Sequence, residues 1–136
     1  MPDSKVVDAW ALLAWLLDQP ASSAVESCLQ EADAGKLNLL MSWMNVGEVY
    51  YIIAKRYGRE RAKQFLDRLP SLPIRLVLPD ENGILAAAEV KASHPVSYGD
   101  AFAISLAQFE KASVITGDEE IRRCEVVPVD WLGVKP

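Results

Sequence analysis

Ser97-Tyr98-Gly99-Asp100-Ala101-Phe102-Ala103-Ile104-Ser105-Leu106-Ala107 opens on a serine, reaches an acid at its fourth residue and then becomes too apolar for a helix with a wet face. A helix of this kind belongs in a core. An acid at its head therefore lies where the core meets a cleft, and other acids are to be sought at the same rim. Three stand out: Asp8 after Lys5-Val6-Val7, Asp118 after Ser113-Val114-Ile115-Thr116-Gly117, and Glu48 inside the apolar segment Trp43 to Ile53. We expect these four carboxylates to meet around a divalent metal.

The rest of the chain reads as alternating strands and helices. Lys5 to Asp8 is a short β-branched run, followed by the Ala-, Leu- and Trp-rich helix Ala9 to Leu17 that Gln19-Pro20 stops. Ser22 or Ser23 caps a second helix up to Gly35, and Leu37 to Met41 reads as a buried strand. Ser42 caps the helix carrying Glu48, which Gly58 ends. Gly47, inside that helix, lowers its stability by roughly 1 kcal/mol relative to alanine, so a close backbone or ligand approach is expected there. A charged helix, Arg59 to Leu69, precedes a strand at Ile74 to Leu78 bracketed by Pro73 and Pro79. Asp80 caps the helix Glu81 to Ala92. After Ser97 to Lys111 come the strand Ser113 to Thr116, a helical turn at Asp118 to Arg123 and a last strand near Val126 to Val129.

Strands separated by helices of this length give βα units: a three-layer α/β/α sandwich with a mainly parallel central sheet. In such sheets the ligand crevice lies at the C-terminal strand ends, where Asp8 and Asp118 fall. No repeat, linker or low-complexity tract divides the 136 residues, so residues 1–136 are expected to form a single domain.

Composition narrows the chemistry. A hydrophobic share of 51% excludes disorder, no apolar run reaches the length of a membrane span, and the start does not read as a signal peptide. A cytoplasmic protein without membrane contact is expected. Cys28 and Cys124 lack metal-type spacing, and His94 is the only histidine, which leaves little for zinc sites or serine–histidine triads. A net charge of −5 argues against general nucleic-acid binding, though not against a nuclease whose bound cation offsets its own acids.

Taken singly, the acids have structural explanations. Asp8 and Asp118 fit helix caps, and Ser97-x-x-Asp100 fits a capping box. Glu48 fits none of these, because an ionised carboxylate on an apolar helix face is unfavourable unless paired and no basic residue lies at helical spacing on its buried side. Together they are a different matter. Clustered carboxylates repel unless a cation neutralises them, and Mg²⁺ or Mn²⁺ suits an all-oxygen site. Such an ion serves phosphodiester hydrolysis by orienting water and stabilising charge on phosphate.

Val7-Asp8-Ala9, Asn45-Val46-Gly47-Glu48, Ser97-Tyr98-Gly99-Asp100-Ala101 and Ile115-Thr116-Gly117-Asp118 resemble, in order and separation, the motifs of the PIN domain in its single-domain form, the VapC-type ribonuclease toxins of toxin–antitoxin systems. The likeness runs from Val6 to about Val129. It implies that Asp8, Glu48, Asp100 and Asp118 bind Mg²⁺ or Mn²⁺ and the activated water, with Ser97, Thr116 and Asn45 in support. It also implies metal-dependent endoribonuclease activity on RNA, a homodimer, and a cognate antitoxin covering the groove. The chain departs from the pattern after the first acid: many members place a small hydroxyl residue there, and this one has Ala9 and Trp10. Trp10 and Trp15 read as core or dimer surface, with base stacking as the other use. The basic stretch from Lys55 to Arg68 reads as a solvated helix face rather than a phosphate track. The competing function is the same fold acting as a non-catalytic RNA- or protein-binding module. A receiver or a haloacid-dehalogenase-type phosphatase fits less well, since the latter wants an acid where Trp10 stands.

Overall fold

A computed structural model describes residues 2–133. The elements follow in the order β1 (Asp3–Val7), α1 (Ala9–Leu16), α2 (Ser22–Asp33), β2 (Leu37–Ser42), α3 (Trp43–Tyr57) and α4 (Arg59–Arg68). A 3₁₀ turn (Leu69–Ser71) then leads to β3 (Ile74–Val77), α5 (Glu81–Ser93), α6 (Tyr98–Glu110), β4 (Ser113–Thr116), α7 (Glu119–Cys124) and β5 (Val129–Trp131). The five strands form one sheet in the order β3-β2-β1-β4-β5, and every pairing is parallel.

The two-residue period of the strands sorts their side chains into two cores. Val7, Leu39, Met41 and Ile115 point into one, where they meet Leu12, Leu29, Val49, Ile53 and Phe65 of α1 to α4. Their neighbours Val6, Leu40 and Val114 point into the other, with Val90 of α5, Phe102 and Ile104 of α6 and Ile121 of α7. The result is the expected three-layer α/β/α sandwich. α6 buries seven of its thirteen residues, Asp100, Ala101, Phe102, Ala103, Ile104, Ser105 and Ala107, which accounts for its nearly uniform apolar composition.

The chain leaves β1 towards β2 and β3 on one side and returns to β4 and β5 on the other. That reversal makes the β1/β4 boundary the topological switch point, where the loops after two adjacent strands part and open a crevice. Asp8 follows β1 and Asp118 follows β4.

The last strand pairs later than expected. Val126 and Val127 pack against the second core without joining the sheet, and pairing begins only at Val129. Pro128 has no N–H to give a ladder, and it enters only as an acceptor, its carbonyl taking the N–H of Val114 at 2.9 Å.

Candidate functional site

Three short structural units bring the acids to one rim. The first joins β1 to β4. Asp8 caps α1, its Oδ1 accepting the Ala11 N–H at 2.8 Å, and it is 1% exposed. Its Oδ2 accepts the hydroxyl of Thr116, whose own oxygen accepts the Asp118 N–H at 2.9 Å. Because the Asp118 amide can only donate, the Thr116 proton points to Asp8. One buried hydroxyl thus sets the distance between two acids. Asp118 in turn caps α7, its Oδ1 accepting the Glu120 N–H at 2.9 Å.

The second unit joins α3 to α6. Ser42 caps α3 by accepting the Met44 N–H at 3.2 Å, and three residues on, Asn45 is 1% exposed. The Asn45 amide donates to Glu48 Oε1 at 2.7 Å and to the Gly99 carbonyl at 3.0 Å. Gly99 approaches so closely that a Cβ there would fall on the Glu48 carboxylate. The close approach expected at Gly47 is therefore at Gly99. A Cβ on Gly47 would meet nothing, since that residue faces outward on α3.

The third unit is the head of α6. Ser97 Oγ accepts the Asp100 N–H at 3.1 Å, and the Ser97 N–H goes to Glu120 Oε2 at 3.2 Å. Asp100 is 8% exposed, and its Oδ2 is buried with no hydrogen-bond partner. Oxygens of Asp100, Asp118 and Glu120 lie within 4.8 Å of one another. Asp8 and Glu48 stand outside that trio but close enough for their charges to be felt.

The electrostatics follow from this crowding. Burial, with smaller contributions from the Asp118 and Glu48 charges, pushes Asp8 up to about 7 against the opposing bonds from Thr116 and Ala11. Burial raises Asp100 to about 8, helped by the neighbouring Asp118 carboxylate, which favours the protonated form, while Ser97 opposes. Glu48 is also raised, chiefly by burial, while Asn45 opposes. None of these acids forms a salt bridge among the described residues, whose ion pairs lie elsewhere. An all-oxygen donor set with an unpartnered buried oxygen on Asp100 and another on Asn45 fits a hard divalent cation.

All seven residues singled out in the sequence lie in these three units. Glu120 was missed. Two acids in the first turn of a helix read as partners of the helix dipole, and nothing in Asp118-Glu119-Glu120 tells which of them turns back towards Ser97.

The family model described as "PIN domain" matches residues 5–127. No curated protein matches the sequence. Among solved structures, DNA-bound VapBC from Salmonella typhimurium aligns with TM-score 0.75 at 15% identity, covering 97% of this chain and 99% of that one. VapBC2 from Rickettsia felis, bound to a DNA fragment from its promoter, aligns with TM-score 0.74 at 14% identity, covering 93% and 97%. Mycobacterium tuberculosis VapC20, described as a sarcin-ricin loop cleaving toxin, aligns with TM-score 0.68 at 17% identity, covering 89% and 95%.

Proposed function

The chain belongs to the PIN domain family, and on that premise we propose that it is a metal-dependent endoribonuclease, the toxin of a toxin–antitoxin pair. The observation that carries this reading is the set of carboxylates gathered at the switch point, Asp8 and Asp100 among them buried, with no cationic side chain to neutralise them. Protonation or a cation must relieve that repulsion, and near neutral pH a bound Mg²⁺ or Mn²⁺ does so without sacrificing the charge.

Asp100 and Asp118, with Glu120 beside them, form the centre of the proposed cation site, and Asp8 and Glu48 complete its negative wall. When bound, the ion supplies Lewis-acid polarisation of water and phosphate. The remaining residues hold the acids in place. Thr116 ties Asp8 to the Asp118 backbone, Asn45 orients Glu48 against Gly99, and Ser97 fixes the start of α6.

RNA as substrate draws its support from the likeness to VapC20, and an antitoxin partner from the likeness to VapBC complexes. Residues 1–136 act as one PIN unit in the cytoplasm; no helix among the described residues is long and apolar enough to cross a membrane. A homodimer is part of the same reading. Its support is an apolar groove of about 580 Å³ on the α5/α6 side, lined by Val77, Leu78, Leu106 and Phe109 among others, with Leu78 78% and Phe109 84% exposed.

The test is RNA cleavage by wild type and by Asp100→Asn in Mg²⁺ or Mn²⁺ and in EDTA. Cleavage by the wild type should require the metal, and the folded mutant should lose it by at least about a hundredfold. Full activity in the folded mutant, or in EDTA, would sink the reading.

A further inference from the structure

Two glycines directly precede candidate ligands, Gly99 before Asp100 and Gly117 before Asp118, and each is pressed by a side chain from the first helix layer. At Gly99 the neighbour is Glu48, already part of the proposed site. At Gly117 it is Trp10, which the proposed chemistry leaves unused. A Cβ on Gly117 would fall within the space of the Trp10 ring, against its Cζ2, Cη2 and Cε2 atoms. Backbone conformation does not demand glycine here, since among the described residues only Gly35 and Gly58 are glycines with positive φ. What Gly117 provides is room for the indole.

The contact falls at a sensitive point. Trp10 is the second residue of α1, two positions after Asp8, and it packs half-buried against the first core. Gly117 is the single link between Thr116, which is fully buried and bonded to Asp8, and Asp118. Thr116 is anchored further by its carbonyl, which accepts the Leu132 N–H at 2.8 Å. Asp118 is tied back to Thr116 through its own N–H, and Gly117 between them is the one position of the turn with no side chain of its own to hold it. The indole covers that position.

We propose that Trp10 is a positioning residue whose indole, seated on Gly117, sets the place of Asp118 relative to Asp8 and thereby the divalent-cation affinity of the acid cluster. This rests on the carboxylate-site reading above. Outer groups that orient ligands change metal affinity by about 10- to 100-fold when removed, which is the scale expected here.

The experiment is a double-mutant cycle read as Mn²⁺ affinity by calorimetry on the full chain, at a temperature where circular dichroism shows each variant folded. Trp10→Ala should weaken Mn²⁺ binding about tenfold, and Trp10→Phe, which keeps a ring against the glycine, should restore most of it. Gly117→Ala should also weaken binding about tenfold in the wild-type background, because its methyl collides with the ring, yet by less than about twofold in the Trp10→Ala background. The Gly117 arm keeps the test decisive should Trp10→Ala prove unfolded, since Trp10→Leu, which keeps apolar bulk but no ring against the glycine, can then take its place in the cycle. A residue that only fills the core would lower the melting temperature and leave Mn²⁺ affinity of the folded protein unchanged; that result overturns the proposal. Equal effects of Gly117→Ala in both backgrounds overturn it as well. A wild type that binds no Mn²⁺ removes the carboxylate-site reading itself, and the positioning role with it.

Discussion

Asp8 and Asp100 carry the same side chain but reach the cleft with different supports. Asp8 has both oxygens engaged, by Ala11 and Thr116, whereas Asp100 keeps one buried oxygen without a partner. Both are raised from the ordinary value of 3.8, to about 7 and about 8, and the stability of the metal-free protein must therefore depend on pH. Between about pH 4 and pH 8 the folded state binds protons that the unfolded chain has released, so stability is fully present below that window and is lost as pH rises through it. For Asp8, which is wholly buried, the loss is on the order of 4 kcal/mol. Urea denaturation in EDTA should thus show a lower midpoint at about pH 8 than at about pH 5, and Asp8→Asn should flatten the difference. A midpoint that rises with pH would contradict the raised values. At this scale the sequence was informative where burial and charge conflict, as at Glu48 and Asp100. It was silent on Glu120, because an acid at a helix start already has an ordinary reason to be there.

Elements whose packing is uniform were easiest to read. The stretch of α6 from Asp100 to Ala107 and β4 are buried nearly all round, so their composition alone marks them as core, and the caps Asp8, Ser42, Asp80, Ser97 and Asp118 fall at the helix starts where expected. β5 was harder, because Val126 and Val127 supply β-branched residues to the core without sheet pairing, and only three residues beyond Pro128 complete the ladder. The relation between elements was harder still. The glycine on which α3 and α6 meet is Gly99 rather than Gly47, a distinction that depends on which face of α3 turns inward. Gly99→Ala places a methyl against the Glu48 carboxylate, so it should destabilise the fold by about 1–3 kcal/mol in urea unfolding and weaken Mn²⁺ binding as well. Gly47→Ala, with open space around it, should instead stabilise by roughly 0.5–1 kcal/mol. Equal effects at the two positions would show that the α3/α6 contact is not as described.

For the whole molecule, parallel pairing and the reversal at β1/β4 decide where chemistry is possible. Alternation of strands and helices made that architecture legible, and with it the strand ends that carry Asp8 and Asp118. What the linear pattern could not give is the apolar groove between the end of β3, α5 and α6. Leu78 and Phe109 are distant in sequence and become neighbours only when α5 and α6 fold back over the sheet. If that face joins two copies, Phe109→Asp should halve the mass seen by light scattering while leaving circular dichroism unchanged; an unchanged mass would assign the face to another partner or to solvent. The claim on which all else depends is that the carboxylates at the switch point hold a divalent ion. Its most direct test is a calorimetric Mn²⁺ titration of the wild type and of a folded Asp8→Asn, Asp100→Asn double mutant, which requires no knowledge of the RNA. Saturable binding by the wild type that disappears in the mutant is the expected result. No binding by the wild type at millimolar Mn²⁺, or equal binding by the mutant, would contradict it.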